Sequence, residues 1–306
     1  MKIFINDAKE DWIVDRFKKE FSEYNQEIFT NEVKDADIIW IIAPWSWKNV
    51  PKKYLKTKKV LCTVHHIDFD KFTGEEKRNF YKLNKFVDFY HTISDKSYEQ
   101  LASLTSKKIY NFPFWVNSKI WFDIPKSSNL KMKYSIPKDR YVLGSFQRDT
   151  EGKDKISPKL SKGPDRFIEI VEKMAEKKKI FVLLAGYRRQ YIIRLLEKYK
   201  IEYIYYEKVS FEELNELYNC LDLYIVSSRI EGGPQSILEC GITKTPIIST
   251  DVGVASEILS QESIFDMSNY MFAEPNLEIA FKNSQKYEME KSSSSFHQMF
   301  KGLYES

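Results

Sequence analysis

Ten short apolar runs, rich in β-branched and aromatic residues, recur along the chain and are separated by longer amphipathic stretches. This alternation is the signature of parallel strands joined by crossover helices. In the first half the runs are residues 2–5, 37–42, 59–64, 89–93 and 108–112; in the second they are 141–146, 180–185, 203–206, 221–226 and 246–249. Several are continuously apolar, as strands covered on both faces are. Between them, Phe167, Ile170, Val171, Met174 and Ala175 form a helical stripe, and Ser210 with Glu213 forms a capping box. Pro234 is placed in a first helical turn, with Ile237, Leu238 and Ile242 buried behind it.

A chain of 306 residues is near twice the common domain size. The segment 113–138 carries Pro113, Pro125 and Pro137 and the polar run Lys126-Ser127-Ser128-Asn129, which reads as an interdomain connection. The expected domains are therefore residues 1–130 and 131–285, both α/β and Rossmann-like. Residues 286–306 are expected to form a C-terminal helix that could return to the first domain.

Composition excludes several classes. A net charge of +4 is too small to be a footprint for nucleic acid. Apolar residues at 42% supply a large core. Cys62, Cys220 and Cys240 are odd in number and lack a CxxC pair, which argues against a disulfide framework or zinc ribbon and predicts a reducing, cytoplasmic location. The start of the chain turns polar at Asn6-Asp7, too early for a signal peptide. The most apolar stretch, residues 37–47, is about half the roughly twenty residues a membrane span needs.

Glycine is scarce, with 10 in the chain, and eight of these lie between residues 144 and 253. Two are adjacent in the most informative segment, Ser227-Ser228-Arg229-Ile230-Glu231-Gly232-Gly233-Pro234-Gln235-Ser236-Ile237-Leu238-Glu239. It leaves an apolar run, turns on the glycines and enters a helix. The unpaired N–H groups of a helix N-terminus attract phosphate, and glycine removes the side chains that would obstruct it. Glu231 precedes the helix and Glu239 lies inside it, giving two acceptors suited to sugar hydroxyls.

The spacing from Glu231 to Glu239 resembles the E-x7-E motif of retaining glycosyltransferases with the GT-B fold, most closely family 4 (glycosyl transferases group 1). Pro246-Ile247-Ile248-Ser249-Thr250-Asp251-Val252-Gly253 with Glu257-Ile258, and upstream Gly144-Ser145-Phe146-Gln147-Arg148 and Lys162-Gly163-Pro164-Asp165, resemble other family runs in the same order. The resemblance implies two Rossmann-like domains with parallel sheets facing across a cleft. The second would bind a nucleotide-sugar and the first a glycan or lipid-linked acceptor.

It further implies sugar transfer with retention and no required metal or other cofactor, in the setting of polysaccharide or glycolipid synthesis. Arg148 and Lys162 would neutralise the donor's diphosphate, and Glu239 would accept from the ribose hydroxyls. Glu231, with Gly232 and Gly233, would orient the transferred sugar. Pro234, Gln235 and Ser236 at the helix start, and Gly186 at a turn, would complete the donor site. Arg148 and Lys162 flank the charged insert 149–159, so the alternative for each is a solvated loop. Gly241 and Gly253 read as helix-packing and turn glycines rather than ligand contacts.

In the first half, residues 59–64 end in His65-His66-Ile67-Asp68-Phe69-Asp70. The family often places a histidine after such a strand, and His65 fits that place best, with His66 the alternate. Asp68 and Asp70 also spell D-x-D, so these four side chains form an alternative, metal-binding reading. The glycine-rich loop of many family members is missing after the first strand, where the text is Asn6-Asp7-Ala8-Lys9-Glu10.

Trp45, Trp47, Lys48, Lys52, Lys53 and Lys56 lie in a stretch without Asp or Glu, a composition suited to peripheral contact with an anionic membrane on its inner face. The plainer reading is a solvated face. Alternatives to transfer are a nucleotide-sugar epimerase or hydrolase on the same fold, a metal-dependent transferase, and a sugar-nucleotide-binding module without turnover.

Overall fold

The structure is a computed structural model that describes residues 1–8, 13–125, 129–152 and 154–306. Lys9 and Glu10 of the first loop, and Lys126, Ser127 and Ser128 of the expected connection, lie outside the described residues. All ten apolar runs contain strands: β1 Ile3–Ile5, β2 Ile38–Ile41, β3 Lys59–Val64, β4 Phe89–Thr92, β5 Ile109–Asn111, β6 Tyr141–Ser145, β7 Ile180–Ala185, β8 Tyr203–Tyr206, β9 Leu223–Val226 and β10 Ile247–Thr250. An eleventh, β11 Ile264–Phe265, has two residues. Every pairing between these strands is parallel.

The chain divides into two compact units, Met1–Pro113 with Ser292–Ser306, and Phe114–Lys291. The division falls after Pro113, ahead of the boundary expected near residue 130. The cause is the segment after Pro113, which is apolar enough to be buried. Val116 and Trp121 are buried in the second unit's core. The Phe122 and Ile124 N–H groups donate to Asn215 (3.1 Å) and Asn219 (2.8 Å), which lie on or at the end of the helix that follows Ser210.

The first unit's sheet has the order β1-β2-β3-β4-β5. On the other side of β1, Ile3 donates to the Ile28 carbonyl (2.7 Å) and accepts from Thr30 N–H (3.0 Å). A vestigial strand thus flanks β1, and the chain runs first one way and then the other from it. Strand alternation sends Trp40 to one face and Ile39 and Ile41 to the other. On the Trp40 face lie helix Ile13–Tyr24, through Phe21, and helix Met289–Tyr304, through Phe296 and Phe300. Leu55 and Leu83, from the crossovers into β3 and β4, pack with Ile39 and Ile41.

His91 on β4 is fully buried against Phe112 and Phe296. Its ring nitrogens meet Thr63 Oγ1 (3.0 Å) and the Phe112 carbonyl (2.9 Å). Burial pushes the imidazole down to about 3. The native state therefore holds His91 neutral while the unfolded chain takes up a proton near the ordinary value of about 6.5. Stability from this group is fully present above that value and is lost as pH falls toward 3, by at most about 1.4 kcal/mol per pH unit. Urea midpoints measured from pH 7 to pH 4.5 are expected to fall less steeply in His91→Gln than in the parent chain. Parallel slopes would contradict the assignment.

The second unit's sheet has the order β11-β10-β9-β6-β7-β8, that of a doubly wound dinucleotide-binding fold. Its two faces carry separate cores, one containing Leu183 and Val226, the other Leu184 and Ile225. The strand order reverses between β6 and β9. Ligands of such sheets bind beyond the carboxyl ends of the strands at that point.

Candidate functional site

Two loops leave the switch point of the second unit, 146–148 after β6 and 227–234 after β9, and a third segment, Leu160–Lys162, is fastened against them. Ser161 O accepts from Arg229 N–H (2.8 Å) and Ile230 N–H (3.1 Å), and Ser227 Oγ donates to the Gly163 carbonyl (2.8 Å). Gln147 Nε2 donates to the Lys162 carbonyl (2.9 Å). Arg229 grips Asp165 through two bonds of 2.8 and 2.6 Å. Gly163 has φ of +62° and a Cβ there would lie 1.9 Å from the Ser227 carbonyl, so this close approach requires glycine.

The fastening brings the Lys162 ammonium into an ion pair with Glu231, although 69 residues separate them. The lysine side chain is 24% exposed and the carboxylate 11%. Beyond Glu231 the chain passes through Gly232 and Gly233 into helix Gln235–Thr243. Pro234 is the residue preceding this helix, one position before the first turn expected for it. Its fixed ring ends the loop instead of opening the helix. Gly253 supports the paired glycines from below: a Cβ on it would lie 2.4 Å from the Gly232 carbonyl oxygen. Gly241 packs against Ser284. Both therefore act as turn and packing glycines.

Glu239 is buried on the helix and accepts from the Tyr218 hydroxyl (2.8 Å). Gln235 Nε2 donates to the Trp115 carbonyl (2.7 Å), which anchors the start of the helix within its own unit. Ser236 hydrogen-bonds the Tyr224 hydroxyl, which also accepts from Phe146 N–H (3.0 Å). Gly186, with φ of +92°, turns the chain out of β7.

Arg148 is exposed, and its Nε donates to the Thr150 carbonyl (2.6 Å). The residue after it, Asp149, is buried and pairs with the wholly buried Arg189 (3.3 Å), whose guanidinium also donates to the carbonyls of Ser145 (2.7 Å) and Ala185 (3.2 Å). This pair fixes the loop that carries Arg148 to the ends of β6 and β7. Lys159 joins the same region, since its N–H donates to the Asp149 carbonyl (2.8 Å). Burial first, and then the charges of Lys162 and Arg148, hold the Lys159 ammonium below the ordinary lysine range. Neither Arg189 nor Lys159 stood out in the sequence. Only the density of charge in 149–159 pointed to Lys159, and that density also fits a solvated loop.

In the first unit, His65 follows β3 and its Nε2 lies 2.9 Å from the Ile42 carbonyl at the end of β2. Its ring lies 5.8 Å from that of Trp45, which is 57% exposed. His66 is exposed. Among the described residues no three His, Cys, Asp or Glu side chains come together as a metal-binding group, and His65, His66, Asp68 and Asp70 are all described.

Where a glycine loop would follow β1, Asn6 is buried and stitches β1 to the exit of β2. It donates to Ser46 Oγ (2.7 Å) and accepts from Ile42 N–H (3.2 Å). Trp47 corrects the membrane reading, because it is buried in the core beside Phe86 and cannot seat its ring in a headgroup layer. Lys48, Lys52, Lys53 and Lys56 are exposed. No helix among the described residues is long and apolar enough to cross a membrane.

Residues 156–290 match the family model of glycosyl transferases group 1. The match lies wholly within the second unit and covers less than half of the chain. The matched span contains Lys159, Lys162, Glu231, the paired glycines and Glu239. Solved structures show the same fold over nearly the entire chain. Anabaena HepE in complex with UDP and glucose is 12% identical over 99% of this chain and 100% of that one, with a TM-score of 0.78. Sucrose-phosphate synthase of Thermosynechococcus elongatus is 15% identical over 95% and 77%, with a TM-score of 0.70. A Rickettsia africae glycosyltransferase is 16% identical over 97% and 83%, with a TM-score of 0.66. No curated protein sequence matches the chain. The fold is GT-B, with two Rossmann-like units of parallel sheet.

Proposed function

We propose that the chain transfers a sugar from a nucleotide-sugar to an acceptor hydroxyl with retention at the anomeric carbon and without a required metal. The observation that carries this reading is the Lys162–Glu231 pair at the switch point of the second unit. An ammonium and a carboxylate side by side suit the two halves of the donor. Lys162 and Arg148 meet the diphosphate, and Glu231 meets the hydroxyls of the transferred sugar. Glu239, already held by Tyr218, accepts from the ribose. Gly232, Gly233, Pro234, Gln235 and Ser236 bring the helix start to the diphosphate, with Gly186 at the adjoining turn.

As the anomeric carbon parts from the phosphate oxygen, negative charge grows on the leaving diphosphate and the two cations stabilise it. The acceptor oxygen attacks on the face the phosphate leaves, and its proton passes to the departing phosphate. His65, at the carboxyl end of β3, is the residue of the first unit that we propose as catalytic. HepE, structurally similar to this chain, was solved with UDP, glucose and UDP-glucose, which makes uridine diphosphate sugars the first donors to test. Cell-surface polysaccharide or glycolipid synthesis is the setting we propose, by analogy of fold.

A panel of UDP-, GDP- and ADP-sugars, each at 100 times its Kd, is expected to include one donor that stabilises the chain by about 2.7 kcal/mol. That donor is then consumed with release of its nucleoside diphosphate at an EDTA-insensitive rate. A flat thermal response to the entire panel would overturn the reading, and a rate abolished by EDTA would overturn its metal-free form.

A further inference from the structure

Residues 149–159 read as a solvated charged loop in sequence, yet residues 149–152 and 157–159 pair with each other as the two arms of a hairpin. Thr150 and Pro158 make an antiparallel bridge, and Glu151 N–H donates to the Ser157 carbonyl (3.0 Å). Near the tip, Asp154 accepts from Ile156 N–H (3.0 Å), Ser157 N–H (3.2 Å) and Ser157 Oγ (2.6 Å). At its root, Asp149 N–H donates to the Arg188 carbonyl (3.1 Å) while its carboxylate is held by buried Arg189. The last hairpin residue, Lys159, is bonded to Asp149 on one side. On the other, its carbonyl accepts from Lys162 N–H (2.8 Å). A buried ion pair thus fixes the backbone of Lys159 one tight turn away from Lys162.

Charge makes this placement informative. Lys162 is already paired with Glu231, so these two cancel. Arg148 then leaves one positive charge against the two negative charges of a diphosphate diester. Among the described residues Lys159 has no carboxylate within ion-pair distance; burial and the charges of Lys162 and Arg148 outweigh the more distant carboxylates of Glu231 and Glu151, an arrangement that an arriving anion would relieve. We propose that Lys159 is a third cation of the diphosphate subsite, held in place by Asp149 and balancing the charge that Glu231 removes. The inference rests on the donor-site reading above.

The test compares binding of UDP and of uridine, or of the nucleotide pair that the donor panel selects, by titration calorimetry. Lys159→Met is expected to weaken UDP binding roughly 10-fold or more while leaving uridine unchanged, and Lys159→Arg is expected to restore most of the loss. Lys155→Met, which removes the same charge from the exposed tip of the hairpin, is expected to bind UDP as the parent does. Equal UDP affinity in Lys159→Met and parent overturns the inference and leaves the donor site standing. An equal loss in Lys155→Met also overturns it, since the effect is then one of overall charge. A parent chain that binds no nucleoside diphosphate overturns both readings together.

Discussion

Lys162→Met is expected to lower kcat for sugar transfer about 10²–10³-fold, the range seen when one group aimed at developing negative charge is removed from an active site. The loss belongs to the transition state, because charge on the leaving diphosphate is greater there than in the bound donor. KM for the donor is expected to change much less than kcat. The substitution also leaves Glu231, 11% exposed, without its ammonium. A double-mutant cycle with Glu231→Gln separates the two effects, since residues in direct contact are expected to couple. Initial rates of nucleoside diphosphate release across donor concentrations supply both constants. A single variant within threefold of the parent kcat would remove Lys162 from the chemistry, and additive losses would remove the ion pair.

Phe300→Ala is expected to destabilise the first unit by about 3–5 kcal/mol, as removal of a fully buried phenyl ring usually does. The Phe300 ring meets Phe21 at 5.7 Å and Trp40 at 5.3 Å, all of them buried. Phe296, against Trp40 at 5.4 Å and Phe112 at 4.8 Å, is expected to behave alike. Urea unfolding followed by tryptophan fluorescence gives the change in midpoint. Nucleotide affinity, a property of the other unit, is expected to stay close to that of the parent. A loss below about 1 kcal/mol would mean that the last helix is dispensable to that core.

Much of the fold was legible because a parallel strand buried on both faces must be apolar throughout, and the runs at β2, β7 and β9 could hardly be anything else. β11 was missed because two residues carry no period. The segment 113–138 reads as a connection on the strength of its three prolines and the polar run 126–129. Proline reports where a chain cannot continue an element, and says nothing about whether Val116 and Trp121 beside it are buried. Trp47 was grouped with the lysines for a similar reason: composition counts an aromatic ring without showing which way it points.

The candidate site was legible where it is local, in the stretch from Glu231 to Glu239. It was not legible where it depends on distance along the chain. The pairing of Lys162 with Glu231 and the anchoring of Asp149 by Arg189 arise only when the carboxyl ends of β6, β7 and β9 stand side by side.

The first unit is assembled from both ends of the chain, residues Met1–Pro113 and Ser292–Ser306. Translation therefore delivers the entire second unit before the helix that covers Trp40 exists. Until then helix Ile13–Tyr24 alone covers the aromatic face of the first sheet, and closing the rest requires contacts between residues nearly the full chain length apart. Such contacts form late and slowly. On this account the second unit is expected to complete its fold before the first, whose uncovered aromatic face is the more exposed to aggregation on the way.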